Sequence, residues 1–85
     1  MKLIMTCRAF PEQYDVVDAD GNIVGYLRLR HGYFAAYMNV MDDEPVYSAN
    51  TIGDGIFDES EREFHLRNAL AAIVARLPLN IERNW

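Results

Sequence analysis

The sequence is poor in cysteine, in basic residues and in long apolar runs, and each shortage excludes a class of protein. Cys7 is the one cysteine among 85 residues, so no disulfide can form within the chain and a reducing compartment is expected. Eight basic residues against thirteen acidic ones give a formal net charge of −5, which argues against nonspecific binding to nucleic acid or anionic membranes. The apolar run Leu3-Ile4-Met5 is too short for a signal peptide or a membrane span.

What remains is the composition of one ordinary globular domain, with 51% hydrophobic and 25% charged residues. A chain of this length buries about 60–65% of its unfolded surface, which allows one core and leaves little volume for a deep catalytic cleft. We divide the chain into residues 1–10, which form a lead or an edge strand, a single α+β domain over 11–77, and a tail over 78–85.

Two short turns predict a central strand, Ile23–Arg30, that is shared by two β-hairpins. Asp20-Gly21 is flanked by alternating apolar residues, and such a pair supplies the positive φ angles that a two-residue type I′ turn needs. His31-Gly32 predicts a second two-residue turn at the other end of the strand. The central strand therefore has a neighbour on each side.

The two turns also predict which residues oppose each other. Val17 lies opposite Val24 in the first hairpin, and Ile23 lies opposite Val40 in the second. One face of the sheet is then apolar: Tyr14, Val16, Ile23, Gly25, Leu27, Leu29, Phe34, Ala36, Met38 and Val40. Because a slip of one residue would turn this set toward water, the pattern itself protects the register.

A fourth strand and one helix complete the predicted fold. Val46–Ala49 is the fourth strand, and the helix begins at a capping box whose first residue is Asp58 or Ser60. The apolar stripe of the helix consists of Leu66, Leu70, Ile73, Val74 and Leu77. The prediction is an α+β fold, in which an antiparallel sheet of three to four strands carries one C-terminal α-helix on one face, in the order β-β-β-β-α.

The mixed face of the sheet is the first candidate binding surface. Its aromatic and basic residues, named here the tyrosine–arginine face, are Tyr26, Arg28, Arg30, Tyr33 and Tyr37. One helix covers one face of a sheet, so this face is open unless the chain dimerises. Tyr and Arg are enriched at interface hot spots, and RNA-binding sheets use such residues to stack bases. Both also suit a solvated strand, so a purely structural role stays open.

Acidic side chains form the second candidate surface. They are Asp42, Asp43 and Glu44 in the turn after the third strand, and Asp54, Asp58, Glu59 and Glu61 around the start of the helix. These residues either cap the helix and face solvent, or form an anionic patch that docks onto a basic groove of a partner. As catalytic or magnesium-binding carboxylates they lack positioning partners in the sequence.

No stretch has the ligand spacing of a metal site. Asp18–Asn22 begins like a calcium-binding loop, but Ile23 and Leu29 stand where an EF-hand needs Gly and Glu. His31 and His65 have no Cys or His neighbour at metal-binding spacing. We therefore predict no metal, no cofactor and no enzymatic activity.

Two stretches resemble a group of short phage and prophage proteins. The first is Tyr14–Phe34, with the sequence YDVVDADGNIVGYLRLRHGYF, and the second is Gly53–Asp58, GDGIFD, ahead of an acidic helix start. The resemblance covers most of residues 11–77. Some of the similar proteins carry a cysteine-containing segment after the third strand that suggests metal binding. The corresponding segment here, Asn39–Glu44, has no cysteine, so no metal carries over.

The resemblance implies a phage context without an assigned chemistry, and hence the cytoplasm of a bacterial host cell. Small acidic phage proteins are often inhibitors of host machinery, anti-CRISPR proteins among them. The expected function is a non-enzymatic protein-binding module that occludes a basic surface of a host protein or ribonucleoprotein complex in defence or nucleic-acid handling. A homodimer is compatible with this function. The alternative is a small nucleic-acid- or nucleotide-binding module that uses the tyrosine–arginine face.

Overall fold

A computed structural model describes residues 1–7, 11–39 and 41–77. The elements are β1 (Lys2–Cys7), β2 (Glu12–Val17), β3 (Ile23–Arg30), β4 (Tyr33–Tyr37), β5 (Tyr47–Asn50) and α1 (Glu59–Arg76). The strands form one antiparallel sheet in the order β1-β2-β3-β4-β5, so each strand lies beside its neighbour in sequence. The α+β fold is confirmed, and the described residues form five strands rather than three or four.

The additional strand is β1, at the edge of the sheet. It pairs antiparallel with β2, and Leu3 lies opposite Val16 where it packs against the core. The sequence left open whether residues 1–10 form a lead or an edge strand. The described part, residues 1–7, contains an edge strand. The predicted tail over 78–85 lies outside the described residues.

The first hairpin has a longer loop than the predicted two-residue turn. Gly21 has a φ of 87°, but Asp20 does not join it at positive φ, so no type I′ turn forms. The Gly21 N–H donates instead to the Asp18 carbonyl at 3.1 Å, and the Asp18 N–H donates to the Asn22 carbonyl at 2.9 Å. The Asp18 carboxylate accepts hydrogen bonds from the N–H groups of Asn22 and Asp20, which hold its pKa below the ordinary value.

This longer loop changes the register at the start of β3. From Glu12 to Val16 the pairing is as predicted, but Val17 lies opposite Ile23 rather than opposite Val24. Ile23 is 65% exposed, so its predicted place in the core is wrong. Its predicted partner, Val40, lies outside the described residues.

The second hairpin confirms its predicted turn. His31 and Gly32 have φ angles of 54° and 74°, the left-handed values that a type I′ turn requires at both positions. Tyr26 lies opposite Tyr37, as the turn predicts. Because the register is as expected, the apolar face is buried over most of its length: Tyr14, Val16, Leu27, Leu29, Phe34 and Ala36 form the centre of the core.

Helix α1 covers this core with a stripe that matches the predicted one only in part, at Ile73 and at the flanking Leu66 and Leu70. Its buried residues follow a spacing of four: Glu61, His65, Ala69 and Ile73. Leu66 and Leu70 flank the stripe and are partly buried, whereas Val74 is exposed. The helix approaches the sheet closely at Gly25, since a Cβ atom there would lie 2.6 Å from the Ile73 Cδ1 atom. Over the described residues, no helix is long and apolar enough to cross a membrane.

Candidate binding surface

The tyrosine–arginine face lies on the side of the sheet opposite α1. Strands β3 and β4 alternate, so that Leu27 and Leu29 enter the core while their sequence neighbours project outward. Tyr26 and Tyr37 lie side by side, with ring centroids 6.5 Å apart and ring planes inclined by 37°. Such a pair presents a broad, rigid aromatic surface at low cost in side-chain entropy.

The two arginines extend this aromatic surface toward the second hairpin turn. Arg28 lies opposite Ala35, which is buried although it belongs to the outward-facing set. Arg30 lies opposite Tyr33, and both are exposed. All five residues of the predicted face therefore occupy adjacent strands, and Tyr26, Arg28 and Tyr37 are half-buried there.

Strands β1 and β2 widen the face beyond the sequence prediction. Ile4 lies opposite Asp15, and Asp15 lies opposite Tyr26. Together with Tyr37 these residues form a row across four strands, with an apolar residue at one end. The apolar, β-branched character of Ile4 indicated a strand, but its short run gave no partner and no register.

The predicted acidic surface divides into two groups at opposite ends of the sheet. Asp42, Asp43 and Glu44 are exposed in the connection between β4 and β5. Asp54 lies at the other end, where its carbonyl accepts a hydrogen bond from the Gly32 N–H at 2.6 Å. Because the length of β4 separates the two groups, they lie about 16 Å or more apart and form no continuous patch.

At the start of α1 the carboxylates act mainly as caps. Asp58 is the N-cap and accepts a hydrogen bond from the Ser60 N–H, and the Ser60 hydroxyl and N–H together lower the pKa of Asp58. Glu61 completes the predicted capping box and is only 9% exposed, so it is not part of the acidic surface. Glu59 is exposed and pairs with Arg62.

Glu61 also fixes the loop that precedes the helix. Its two carboxylate oxygens accept hydrogen bonds from the N–H groups of Ile52 at 2.9 Å, Gly53 at 2.9 Å and Asp58 at 3.1 Å. Burial opposes ionisation of Glu61, but these bonds outweigh it and hold its pKa below the ordinary value. Of the two roles that the sequence left open for Glu61, capping and docking, the structure shows capping.

A second buried carboxylate, Glu12, joins β2 to the helix. Glu12 is 2% exposed and accepts hydrogen bonds from the Tyr14 hydroxyl at 2.5 Å, the Phe57 N–H at 3.0 Å and Arg62 Nε at 2.9 Å. Burial raises the pKa of Glu12, but the bonds from Arg62, Tyr14 and Phe57 together lower it below the ordinary value. Burial and the neighbouring carboxylate raise the pKa of Tyr14.

His65 is the third buried polar group on this side of the sheet. A hydrogen bond of 2.9 Å joins its Nδ1 atom to the Tyr47 hydroxyl, and its Nε2 atom lies 3.6 Å from the Glu61 Oε1 atom. The imidazole stacks on the Phe57 ring at a centroid distance of 5.7 Å. Its polar atoms are thus engaged within the chain, and its role here is packing.

We expect acid to destabilise the protein through these two glutamates. The pKa values of Glu12 and Glu61 are lowered from 4.5 in the folded state, so the unfolded chain binds protons more readily. The stability they provide is present above the unfolded pKa and is lost as the pH falls through the folded pKa. Urea denaturation between about pH 7 and about pH 3 measures this loss. Glu61→Gln should show a shallower pH dependence, and a curve parallel to wild type would contradict the assignment.

Among the residues that the structure describes, no three His, Cys, Asp or Glu side chains come together as a metal site. Comparison with protein-family models, curated proteins and solved structures gives no match for this chain.

Proposed function

We propose that the protein is a non-enzymatic binding module whose contact surface is the tyrosine–arginine face. The observation that carries this proposal is the assembly of three tyrosines and two arginines on one side of the sheet, where Arg30 and Tyr33 are exposed and Tyr26, Arg28 and Tyr37 are half-buried. Aromatic and arginine side chains supply most of the binding energy at protein interfaces. In the form suggested by the resemblance to phage proteins, the module inhibits a host complex by occlusion.

The partner class that fits best is a protein with a basic surface. A net charge of −5 attracts such a partner over long range and accelerates association, whereas the tyrosine–arginine face supplies the short-range contacts. The exposed turn residues Asp42, Asp43 and Glu44 lie at one end of the sheet, where they can act as a charged rim. This division of roles differs from docking through the helix start, whose carboxylates are largely engaged in capping.

Affinity capture with matched variants tests the proposal. The tagged protein is incubated with nuclease-treated lysate of a bacterial host, and retained proteins are quantified by mass spectrometry. A double variant, Arg28→Ala with Tyr37→Ala, should reduce retention of a stoichiometric protein partner by about tenfold or more, because both substitutions remove hot-spot side chains. Phe64→Ala is the control, since Phe64 is 63% exposed on the helix, on the other side of the sheet.

Binding through this face would be contradicted if Phe64→Ala lost as much of the partner as the double variant, or if the double variant retained as much of the partner as wild type.

The same face favours one other function, binding of single-stranded RNA by stacking on Tyr26 and Tyr37 with phosphate contacts from the arginines. Fluorescence anisotropy with a labelled RNA distinguishes the two: salt-sensitive binding that Arg28→Ala abolishes would replace the protein-binding proposal.

A further inference from the structure

The two edges of the sheet differ in how well they are protected. Strand β5 is four residues long, and a short edge strand offers little for another chain to pair with. Strand β1 is six residues long, contains no proline and has Lys2 as its one charged side chain, and its pairing with β2 is regular from Lys2 to Met5 before the register shifts ahead of Cys7. No strand of the described ranges pairs with its free side. An edge strand of this length and composition is a template for a further strand.

Charge makes β1 the place where two copies of the chain can meet. Each copy has a net charge of −5, and like charges keep copies apart. Strand β1 itself carries no acidic residue, and the carboxylates beside it are Asp15, opposite Ile4 on β2, and Glu59 and Glu63 of α1, which line the groove next to Leu3. In an antiparallel pair of β1 strands, the two Lys2 side chains lie at opposite ends.

We propose that the protein forms a two-fold symmetric homodimer through antiparallel pairing of β1 with β1 of a second copy, centred on Ile4. This register places Ile4 opposite Ile4 on one face and Leu3 opposite Met5 on the other, so that apolar residues meet apolar residues on both faces. Ile4 and Met5 are each 45% exposed in the single chain. Such an isologous contact closes after two copies and joins two five-stranded sheets into one of ten strands.

A groove beside β1 supports this register. It is an open cleft of about 490 Å³ between β1 and α1, lined by an apolar floor of Leu3, Leu66 and Leu70 and by the charged residues Glu59, Arg62, Glu63 and Arg67. Met5 of the second copy lies next to Leu3 on the same face, so its flexible side chain extends this apolar floor. The contact is confined to one strand and its neighbours, below the roughly 1,600 Å² of a standard interface. We therefore expect a dimer with a micromolar dissociation constant, populated in proportion to concentration.

The test uses Cys7, the single cysteine, as the attachment site for a nitroxide spin label. Pairing centred on Ile4 puts the two Cys7 positions six residues apart along the strands, so pulsed electron resonance should give a separation of about 20 Å plus the label arms. Sedimentation equilibrium of the unlabelled chain across the micromolar range should give a monomer–dimer equilibrium. A monomer at all concentrations, or a dimer with a different Cys7 separation, would overturn the proposal.

Two variants with the same substitution complete the test. Ile4→Lys places two lysines directly opposite each other and should weaken dimerisation by more than tenfold. Ile23→Lys puts the same charge at a residue that is 65% exposed on β3, away from the edge, and should leave dimerisation unchanged. Undiminished dimerisation of Ile4→Lys would overturn the proposed register. The proposal does not depend on the proposed function, because Arg28→Ala and Tyr37→Ala test the partner surface without altering β1.

Discussion

Replacing Glu12 with glutamine is expected to lower the free energy of unfolding by about 3 kcal/mol. The Glu12 carboxylate accepts hydrogen bonds from three different residues, and it balances the positive charge of Arg62 at a distance of 2.9 Å. A neutral amide cannot balance that charge, and its NH₂ group must face at least one of the same donors. Domains of this size have a total free energy of unfolding of about 4–13 kcal/mol, so a loss of this size should lower the urea midpoint by a large fraction of its wild-type value.

The control for this variant is Glu63→Gln. Glu63 also pairs with an arginine, Arg67, but both side chains are exposed and solvent screens the pair. The same chemical change there should alter the free energy of unfolding by less than about 0.5 kcal/mol. If Glu12→Gln is no more destabilising than Glu63→Gln, Glu12 is not the link between β2 and the helix.

Gly53→Ala is expected to destabilise the protein by about 3 kcal/mol, through a clash that the backbone cannot avoid. A Cβ atom on Gly53 would lie 1.8 Å from the Ile56 carbonyl oxygen and 2.9 Å from the Asp58 nitrogen. Movement of this loop would also displace the Gly53 N–H from Glu61, which it now contacts at 2.9 Å. Thermal denaturation followed by circular dichroism should show a large decrease in Tm.

Gly21→Ala provides the comparison for this second variant. Gly21 has a φ of 87° with open space around it, so alanine there meets conformational strain but no clash. Its expected cost is about 1 kcal/mol. A Tm for Gly53→Ala equal to or above that of Gly21→Ala would show that the loop before α1 tolerates a side chain, and would contradict the packing described for it.

The two hairpins show what local sequence determines and what it does not. Asp20-Gly21 predicted a type I′ turn and His31-Gly32 a two-residue turn, but positive φ angles at both central positions occur only at His31-Gly32. In the first hairpin the Asp18 carboxylate bonds to two N–H groups and so favours a longer loop. That competition depends on the backbone geometry of the whole loop, so the dipeptide alone could not predict it.

The sequence likewise predicted the candidate surface better than the part of the core that the helix contributes. Alternation along β3 and β4 placed the tyrosine–arginine face correctly, because the two strands share one well-defined turn. The helix stripe was predicted only in part: Ile73 is buried as expected, but Glu61 and His65 were missed because hydrophobic periodicity assigns polar residues to solvent. Their burial depends on partners far away in sequence, such as Tyr47 for His65, that periodicity does not reveal.

The strand order β1-β2-β3-β4-β5 also bears on how the chain folds and how long it stays folded. Every strand pair closes a short loop, so the sheet can assemble from local contacts at small entropic cost. The hydrogen bonds from Phe57 and Arg62 to Glu12 span 45 and 50 residues, and they can form only after the sheet and the helix have met. Contacts made after the folding barrier slow unfolding rather than speed folding. We expect the Glu12 bonds to be among these late contacts, so that Glu12→Gln should mainly raise the unfolding rate and change the folding rate little.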